Sequence, residues 1–465
     1  MSRIANHYVS KRVSFLFVAE VLILMASVYL AAQLQVQNGN ESLAGQLKDF
    51  FVPACAFTAV LALSMSALGM YQTTMKEGVK DIILRVMPSF AVGFCAATII
   101  FYLMPEFHFG GSVLALMFTF AACGIVLVRI VYYKSSNYSF LESRIIFLGS
   151  GTLANDCGQL ALSKSTTNRH TVVGYISLPS EERCVPATAI LPHSDSLLAT
   201  ALKYHANEIV VSVQNRRGGS FPIQQLLECK LAGIQVTDSA AFFEREACQI
   251  RVDSLQPSFL VFGSGFDQSF LRAFCKRTFD LLASLALFII ALPIMLITSL
   301  AIYLEDRGPV FYAQQRVGKH GTLYNVLKFR SMGCNAEKPG TPQWATKNDP
   351  RTTKVGAIIR KLRIDELPQI LNVLKGEMSF VGPRPERPYF VKKLCEDIPF
   401  YDVRHSIKPG ITGMAQVRYA YGASVEDAVQ KLQYDLYYVK NNSLFLDLLI
   451  LLDTIQVVLL GKGAR

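Results

Sequence analysis

The sequence predicts a membrane protein in three parts: a transmembrane bundle of four α-helices, a Rossmann-like α/β domain, and a C-terminal α/β domain that inserts one broken helix into the bilayer. Three observations lead there. Hydrophobic residues make up 51% of the 465 and charged residues only 17%, too apolar for soluble domains alone. The apolar residues gather in runs of about twenty, the length a helix needs to cross the hydrocarbon core. Elsewhere short apolar strands alternate with amphipathic segments, the pattern of α/β domains. The net charge of +11 suits an anionic bilayer or a phosphorylated substrate as well as nucleic acid. The ten cysteines show no metal-ligand spacing and fit a reducing compartment.

Residues 1–143 hold four runs, Val13–Ala32, Phe51–Met70, Val86–Met104 and Ser112–Tyr133. The first lacks a clear small-residue cleavage site and is followed by three more, so it reads as a retained span and not a signal peptide. Arg3, Lys11 and Arg12 precede the first run, Lys76, Lys80 and Arg85 separate the second and third, and Lys134 and Arg144 follow the fourth. The other two loops hold only Lys48. By the positive-inside rule both ends of the bundle, and all that follows, are cytoplasmic. Glu20 within the first run reads as a carboxylate facing a neighbouring helix, or else as a functional group.

Residues 144–265 alternate strands (144–148, 171–176, 209–213, 234–236) with helical stretches near 152–163 and 221–231. The first turn contains Gly149 and Gly151 in a GxGxxA directly after a strand. Such glycines let a backbone approach a diphosphate at a helix N-terminus. No acidic residue stands at the ribose-binding position about twenty residues on, so a nucleotide loop competes with a plain strand–helix turn.

Residues 266–465 begin with a fifth apolar run, Leu281–Tyr303, preceded by Lys276 and Arg277 and interrupted by Pro293. Proline removes a backbone donor and kinks a helix. A single crossing would place the following 160 or so residues outside the cell. A re-entrant hairpin at about 281–303, with Lys276 and Arg277 at the lipid phosphates, keeps them inside. The C-terminal run Leu444–Leu460 carries Asp447 and Asp453, which favours a packed or interfacial helix over a span.

Between those runs lies the densest chemistry. Asp365 and Glu366 stand at the start of a short helix expected over 367–374, with Pro368 in its first turn. The helix dipole and Arg360 and Arg363 favour an ionised carboxylate there, competent as a nucleophile or metal ligand. The alternative is that Asp365 only caps the helix. Lys328 and Arg330 share one face of an extended segment. Arg384 is held between Pro383 and Pro385, and Lys408 sits in another proline–glycine turn. Cations fixed on stiff backbone suit a diphosphate whose P–O bond breaks. Their alternative is a basic face holding lipid headgroups.

KRTFD (276–280), GPVFYAQQRVG (308–318), KFRSM (328–332), DELPQ (365–369), GPRPERP (382–388), KPGITG (408–413) and KLQYDLYYVKNNS (431–443) together resemble the bacterial sugar transferase family, the monotopic polyprenyl-phosphate phosphoglycosyl transferases. The four spans and the α/β domain resemble its large members. The ending Gly461–Arg465 is similar to the exosortase-associated branch. This resemblance implies that Asp365 is the nucleophile on the β-phosphate of a UDP-sugar, with UMP released and a phosphosugar left on the aspartate. It implies that Glu366 holds Mg²⁺, that Lys328, Arg330, Arg360 and Arg384 bind phosphates, and that Asp435 is a further substrate-binding candidate. The acceptor implied is undecaprenyl phosphate in the bacterial inner membrane, the donor UDP-glucose or UDP-galactose, and the product the first lipid-linked sugar of exopolysaccharide or O-antigen assembly. Partners are then the UDP-sugar, undecaprenyl phosphate, inner-membrane lipids and a second copy in a homodimer; no nucleic acid is needed. Asn335, Met414 and Leu292 depart from the residues usual in the family, and none belongs to the Asp365–Glu366 pair.

Two other readings compete. A membrane-bound nucleotide-sugar dehydratase also joins four spans to an α/β domain, and Tyr324 and Lys328 supply a YxxxK. A non-enzymatic membrane scaffold that senses a ligand is the other. It leaves the carboxylate pair and its arginines without a role.

Overall fold

The computed structural model describes residues 2–4, 7–9, 11–37, 51–68, 70–71, 79–103, 111–135, 143–163, 170–178, 183–192, 196–213, 221–252, 265–266, 269–333, 351–419, 422 and 424–459. Asn335 and Gly461–Arg465 lie outside them. Apart from the first few residues, the chain forms two compact units, Tyr8–Ala247 and Cys248–Arg465.

All four apolar runs of the first unit become helices: α1 (Lys11–Gln37), α2 (Phe51–Ala67), α3 (Val79–Leu103) and α4 (Gly111–Ser135). Ser14–Leu34 and Gly111–Tyr132 are long and apolar enough to cross a membrane; Phe51–Ala67 and Val86–Tyr102 are shorter apolar stretches. Leu24, Phe57, Phe101 and Met117, one from each helix, belong to a single buried core. Into that apolar setting α1 introduces Glu20, which is completely buried. Arg129 of α4 meets it at 2.6 Å (Nε to Oε1) and 3.2 Å (Nη2 to Oε2), and Tyr71 donates to Oε2 at 2.6 Å. A buried charge is tolerable only when paired, so this contact selects how α1 and α4 face each other.

Beyond α4 the unit forms a four-stranded parallel sheet of order β2-β1-β3-β4, from β1 (Ser143–Leu148), β2 (His170–Ile176), β3 (Glu208–Val211) and β4 (Gln235–Asp238). The two central strands are apolar and buried over Ile145–Leu148 and Ile209–Val211, as strands covered on both faces require. Helix α5 (Thr152–Leu162) follows β1 directly through Gly149 and Gly151. Gly149 has φ +124°, open in practice only to glycine. The buried Ser150 between them is bound to protein, its Oγ 3.1 Å from Ser177 Oγ and its carbonyl accepting from Cys184 N–H.

The second unit opens with α6 (Phe270–Asp306), 37 residues that pass through Pro293 without losing their helical turns. Proline deletes one hydrogen bond and bends a helix, and the turns on either side of Pro293 continue past it. Asp280, Ser284, Ala291, Met295, Thr298 and Ile302 are buried along one stripe, while Ile289, Ile290, Ile297 and Leu300 on the other faces are exposed. Contiguous exposed apolar surface of this kind belongs in lipid.

Both ends of α6 are tied to the same packed unit. Near its start, Arg277 donates to the carbonyls of Val373 (2.6 Å) and Leu374 (2.7 Å) in α8 (Gln369–Lys375); at its end, Asp306 takes the guanidinium of Arg330. Those two anchor points are themselves joined. Asn372 of α8 bonds Leu327 N–H and Asn325 O in the hairpin formed by β5 (Phe311–Val317) and β6 (Leu323–Phe329). Helix α7 (Lys354–Lys361) packs beneath the end of α6, where Glu305 accepts from Lys354 N–H at 2.8 Å. A short parallel pair, β7 (Ser379–Val381) and β8 (Gly410–Thr412), completes the site's framework. A Cβ on Gly382 would lie 2.4 Å from Lys408 O, so only glycine lets these two loops pass.

Removing one partner of a buried ion pair costs about 3–5 kcal/mol, whereas replacing both with apolar groups is often neutral. Arg129→Met is therefore expected to lower the unfolding temperature in detergent more than the double variant Glu20→Leu/Arg129→Met. Equal loss in the two would show that the ion pair does not hold the bundle.

Candidate active site

The Asp365–Glu366 pair sits on a 3₁₀ turn, Ile364–Glu366, between α7 and α8. The helix expected from 367 begins at Gln369, with Pro368 as its N-cap. Arg363 starts the turn in the left-handed region, φ 59°, a strain of about 1 kcal/mol or more for a residue with a Cβ. That twist lets Arg363 turn back toward Glu366, Nη1 to Oε2 at 3.8 Å.

Glu366 is the electrostatic centre. Lys328 of β6 reaches Oε1 at 3.2 Å, and Arg384 reaches the same oxygen at 2.9 Å. Burial alone would raise its pKa, but Lys328, Arg384 and Arg363 hold the carboxyl well below the usual range. Asp365 behaves oppositely. Burial and the Glu366 charge push its pKa up, against the weaker pull of Lys328, Arg363 and Arg360. Among the described residues its carboxylate makes no hydrogen bond, so it does not cap α8. Two adjacent carboxylates are thereby separated in role, one locked in ion pairs and one held in reserve.

Lys328, Arg360 and Arg384 converge on this turn. Lys328 is half-buried, and that burial lowers its pKa against the opposing pull of Glu366. Arg360 bonds Thr352 Oγ1 at 3.1 Å. Arg384 is presented by the proline-rich loop, which is clamped by its carbonyls: Arg404 donates to Arg384 O at 2.9 Å and Arg316 to Pro385 O at 3.1 Å.

Four sequence expectations resolve differently. Arg330 does not join Lys328; buried at the foot of α6, it forms a two-pronged pair with Asp306, because a guanidinium in that apolar setting needs the nearest carboxylate. Asp435, on α9 (Val425–Asn441), lies away from the pair and is buried against Arg404, Nη2 to Oδ2 at 2.8 Å. Lys276 and Arg277 face inward. Lys276 bonds Asp447 Oδ2 (2.6 Å), Tyr438 OH and Val381 O, while Arg277 satisfies the last carbonyls of α8. Asp447 and Asp453, on α10 (Leu444–Leu459), both have protein partners, Lys276 and Arg418, as a packed helix requires.

The residue that sequence reasoning missed is Arg404. It joins Asp435, Tyr401 (2.6 Å) and the Arg384 carbonyl, so it braces the loop that carries Arg384. Its position six residues before Gly410 in a basic, proline-containing turn was a visible signal, but nothing local distinguishes it from a surface arginine.

The second unit thus combines an α/β framework and a long apolar helix with a polarised carboxylate pair among convergent cations. Residues 271–461 match the family described as bacterial sugar transferase. The chain is 45% identical over 240 residues to UDP-N-acetylgalactosamine-undecaprenyl-phosphate N-acetylgalactosaminephosphotransferase of Aeromonas hydrophila, covering 52% of this chain and 56% of that protein. It is 42% identical over 205 residues to undecaprenyl-phosphate galactose phosphotransferase of Salmonella typhimurium, covering 41% and 42%. It is 41% identical over 191 residues to UDP-glucose:undecaprenyl-phosphate glucose-1-phosphate transferase of Caulobacter vibrioides, covering 41% and 71%. The chain belongs to the bacterial sugar transferase family, and its match spans about half the length of the first two relatives.

Two outcomes test this electrostatic picture. Asp435→Ala leaves Arg404 buried without its counter-ion and is expected to cost about 3–5 kcal/mol by denaturant unfolding; a loss under 1 kcal/mol would show the pair to be dispensable. Glu366, whose folded pKa is depressed, contributes stability above the ordinary carboxyl range and loses it as pH falls toward the folded value. Between pH 6 and pH 3 the wild-type unfolding midpoint should therefore fall more steeply than that of Glu366→Gln.

Proposed function

We propose that the chain transfers a sugar-1-phosphate from a UDP-sugar to undecaprenyl phosphate, releasing UMP, through a phosphosugar carried on Asp365. The observation that supports this most is Asp365 itself: a carboxylate without a hydrogen bond among the described residues, beside Lys328 and Arg360, in a chain whose relatives are named for such transfers.

In this reading an Asp365 oxygen attacks the β-phosphorus of the donor. The bond from that phosphorus to the bridging oxygen breaks, and its electron pair leaves with UMP. Lys328 and Arg384 offset the charge that gathers on the diphosphate, and Glu366 keeps both cations aimed there between turnovers. An oxygen of undecaprenyl phosphate then attacks the phosphorus on Asp365 and returns the free carboxylate. The acceptor is already anionic, so no general base is required. Splitting the reaction at an acyl phosphate replaces one hard step with two easier ones.

Magnesium suits the donor chemistry of the pair. It takes one or two carboxylates with phosphate oxygens and water. Asp365 has both oxygens free of hydrogen bonds among the described residues, and its raised pKa is what an added cation would reverse. Asp365 and Glu366 would hold the ion, which when bound would supply further charge neutralisation at the diphosphate.

We assign residues 1–143 to a four-helix transmembrane bundle, 144–265 to a Rossmann-like domain and 266–465 to the catalytic domain, on the cytoplasmic face of the bacterial inner membrane. The attachment of both ends of α6 to one packed unit supports entry and exit by the same face. A single crossing would separate Arg277 and Asp306 by a hydrocarbon layer of about 30 Å. The dehydratase alternative loses its motif, because Tyr324 and Lys328 lie on strand β6 and not one helical turn apart.

Asp365→Asn is expected to reduce UMP release by about 10³-fold or more while the unfolding temperature holds; appreciable turnover would remove Asp365 as the nucleophile, and the scaffold reading predicts no change. Labelled UDP-glucose, UDP-galactose and UDP-N-acetylgalactosamine form the first donor panel. Burial and the Glu366 charge raise the Asp365 pKa, so in metal-free protein its carboxyl should titrate above the ordinary aspartate value of about 3.9 by NMR, and added Mg²⁺ should bring the titration down. A metal-free titration at or below that value would contradict the assignment.

A further inference from the structure

Two polar side chains on the apolar helix have no part in the chemistry above. Lys276 and Asp280 stand four residues apart on α6, so they share one face of it. Asp280 is buried, and its Oδ1 accepts from Ser379 Oγ at 3.0 Å and from Phe380 N–H at 3.2 Å. Lys276 donates to the Val381 carbonyl at 3.2 Å, to Tyr438 OH at 3.2 Å and to Asp447 Oδ2 at 2.6 Å. Tyr438, itself buried, reaches the same Val381 carbonyl at 3.0 Å. The two side chains of α6 thus hold Ser379, Phe380 and Val381, the whole of β7. A helix that needed only to bury an apolar stripe would place no carboxylate there, because a buried charge is costly unless it is bonded.

Little slack separates that strand from Arg384. Val381 is followed by Gly382, whose N–H donates to Thr412 O at 2.9 Å and which has no room for a Cβ, and then by Pro383, whose ring fixes φ. Arg384 comes next and reaches Glu366 Oε1 at 2.9 Å. A shift of β7 therefore carries the Arg384 guanidinium with it. We propose that Lys276 and Asp280 are positioning residues for Arg384: through β7 they fix, from the apolar helix, where that cation stands beside Glu366. Small displacements matter here, since a misplacement of about 1 Å in an active site can cost about 10²-fold in rate. The inference rests on the proposed function only where UMP release is the readout.

Amide exchange of the full-length protein in lipid nanodiscs, followed by mass spectrometry, tests the coupling without substrate. Asp280→Leu should raise exchange over residues 379–387 about tenfold and leave residues 354–361 at the wild-type level, whereas Asp280→Asn, which keeps the accepting oxygen, should stay near wild type. Lys276→Met, paired with Asp447→Asn so that no buried charge is stranded, should behave like Asp280→Leu. Ser379→Ala removes one of the same bonds from outside the helix and repeats the comparison if either variant folds poorly. Glu305→Ala loosens the other end of α6, where Glu305 accepts from Lys354 N–H, and should leave 379–387 unchanged. In UMP release the α6 variants should lose about tenfold in kcat/KM, but less than about twofold when combined with Arg384→Lys, since a residue that acts through Arg384 then has nothing left to place. Exchange that rises evenly over the unit, an equal rise in Glu305→Ala, or an undiminished loss beside Arg384→Lys overturns the assignment. Local exchange as expected, with no UMP from any donor, defeats the transferase reading and leaves the coupling standing.

Discussion

A largely buried glutamate that needs cations organises the second unit. Glu366 draws Lys328 from a β-hairpin, Arg363 from its own turn and Arg384 from a proline-rich loop. These segments are tens of residues apart in sequence. Leaving such a carboxylate unpaired in a poorly solvated site would cost several kcal/mol, and each cation alone would be equally costly. The three segments therefore meet in one arrangement, and Asp365 inherits its surroundings from it: neighbouring positive charge, partial burial and no competing hydrogen bond.

The support of that arrangement is a second tier of ion pairs that touches no reacting atom. Arg404, held by Asp435, braces the carbonyl of Arg384; Arg316 braces the next turn of the same loop. Proline stiffens the loop but supplies no donors, so its free carbonyls are what the neighbouring arginines can grip. The same economy recurs at the membrane helix. Arg277 satisfies the end of α8 and Asp306 satisfies Arg330, so the long apolar helix is fastened to the unit at both ends by polar groups that lipid could not solvate.

Much of this was legible in the residues. The apolar helices, the strands of the parallel sheet and the packed C-terminal helix follow from hydrophobic period and from where charges interrupt it, although the third helix begins at Val79, seven residues before its apolar run, and the short helices Leu197–Lys203 and Ser239–Ala247 were not marked. The carboxylate pair and Lys328, Arg360 and Arg384 were legible because stiff turns and unusual charge density mark them. What misled was local appearance. Lys276 and Arg277 look like headgroup ligands beside an apolar run, and Arg330 looks like the twin of Lys328, yet Asp447, the α8 carbonyls and Asp306 reach them first.

The sequence by itself determined how apolar the chain is and in which runs, where an α/β region begins, and where carboxylates and cations gather on stiff turns. Those properties are local, set by residue type, spacing and period. Only the tertiary structure decided which charge pairs with which, that Glu366 is committed while Asp365 is not, and that Arg404 braces Arg384. Electrostatic partners are chosen by distance and burial in space, and a chain read in order contains neither.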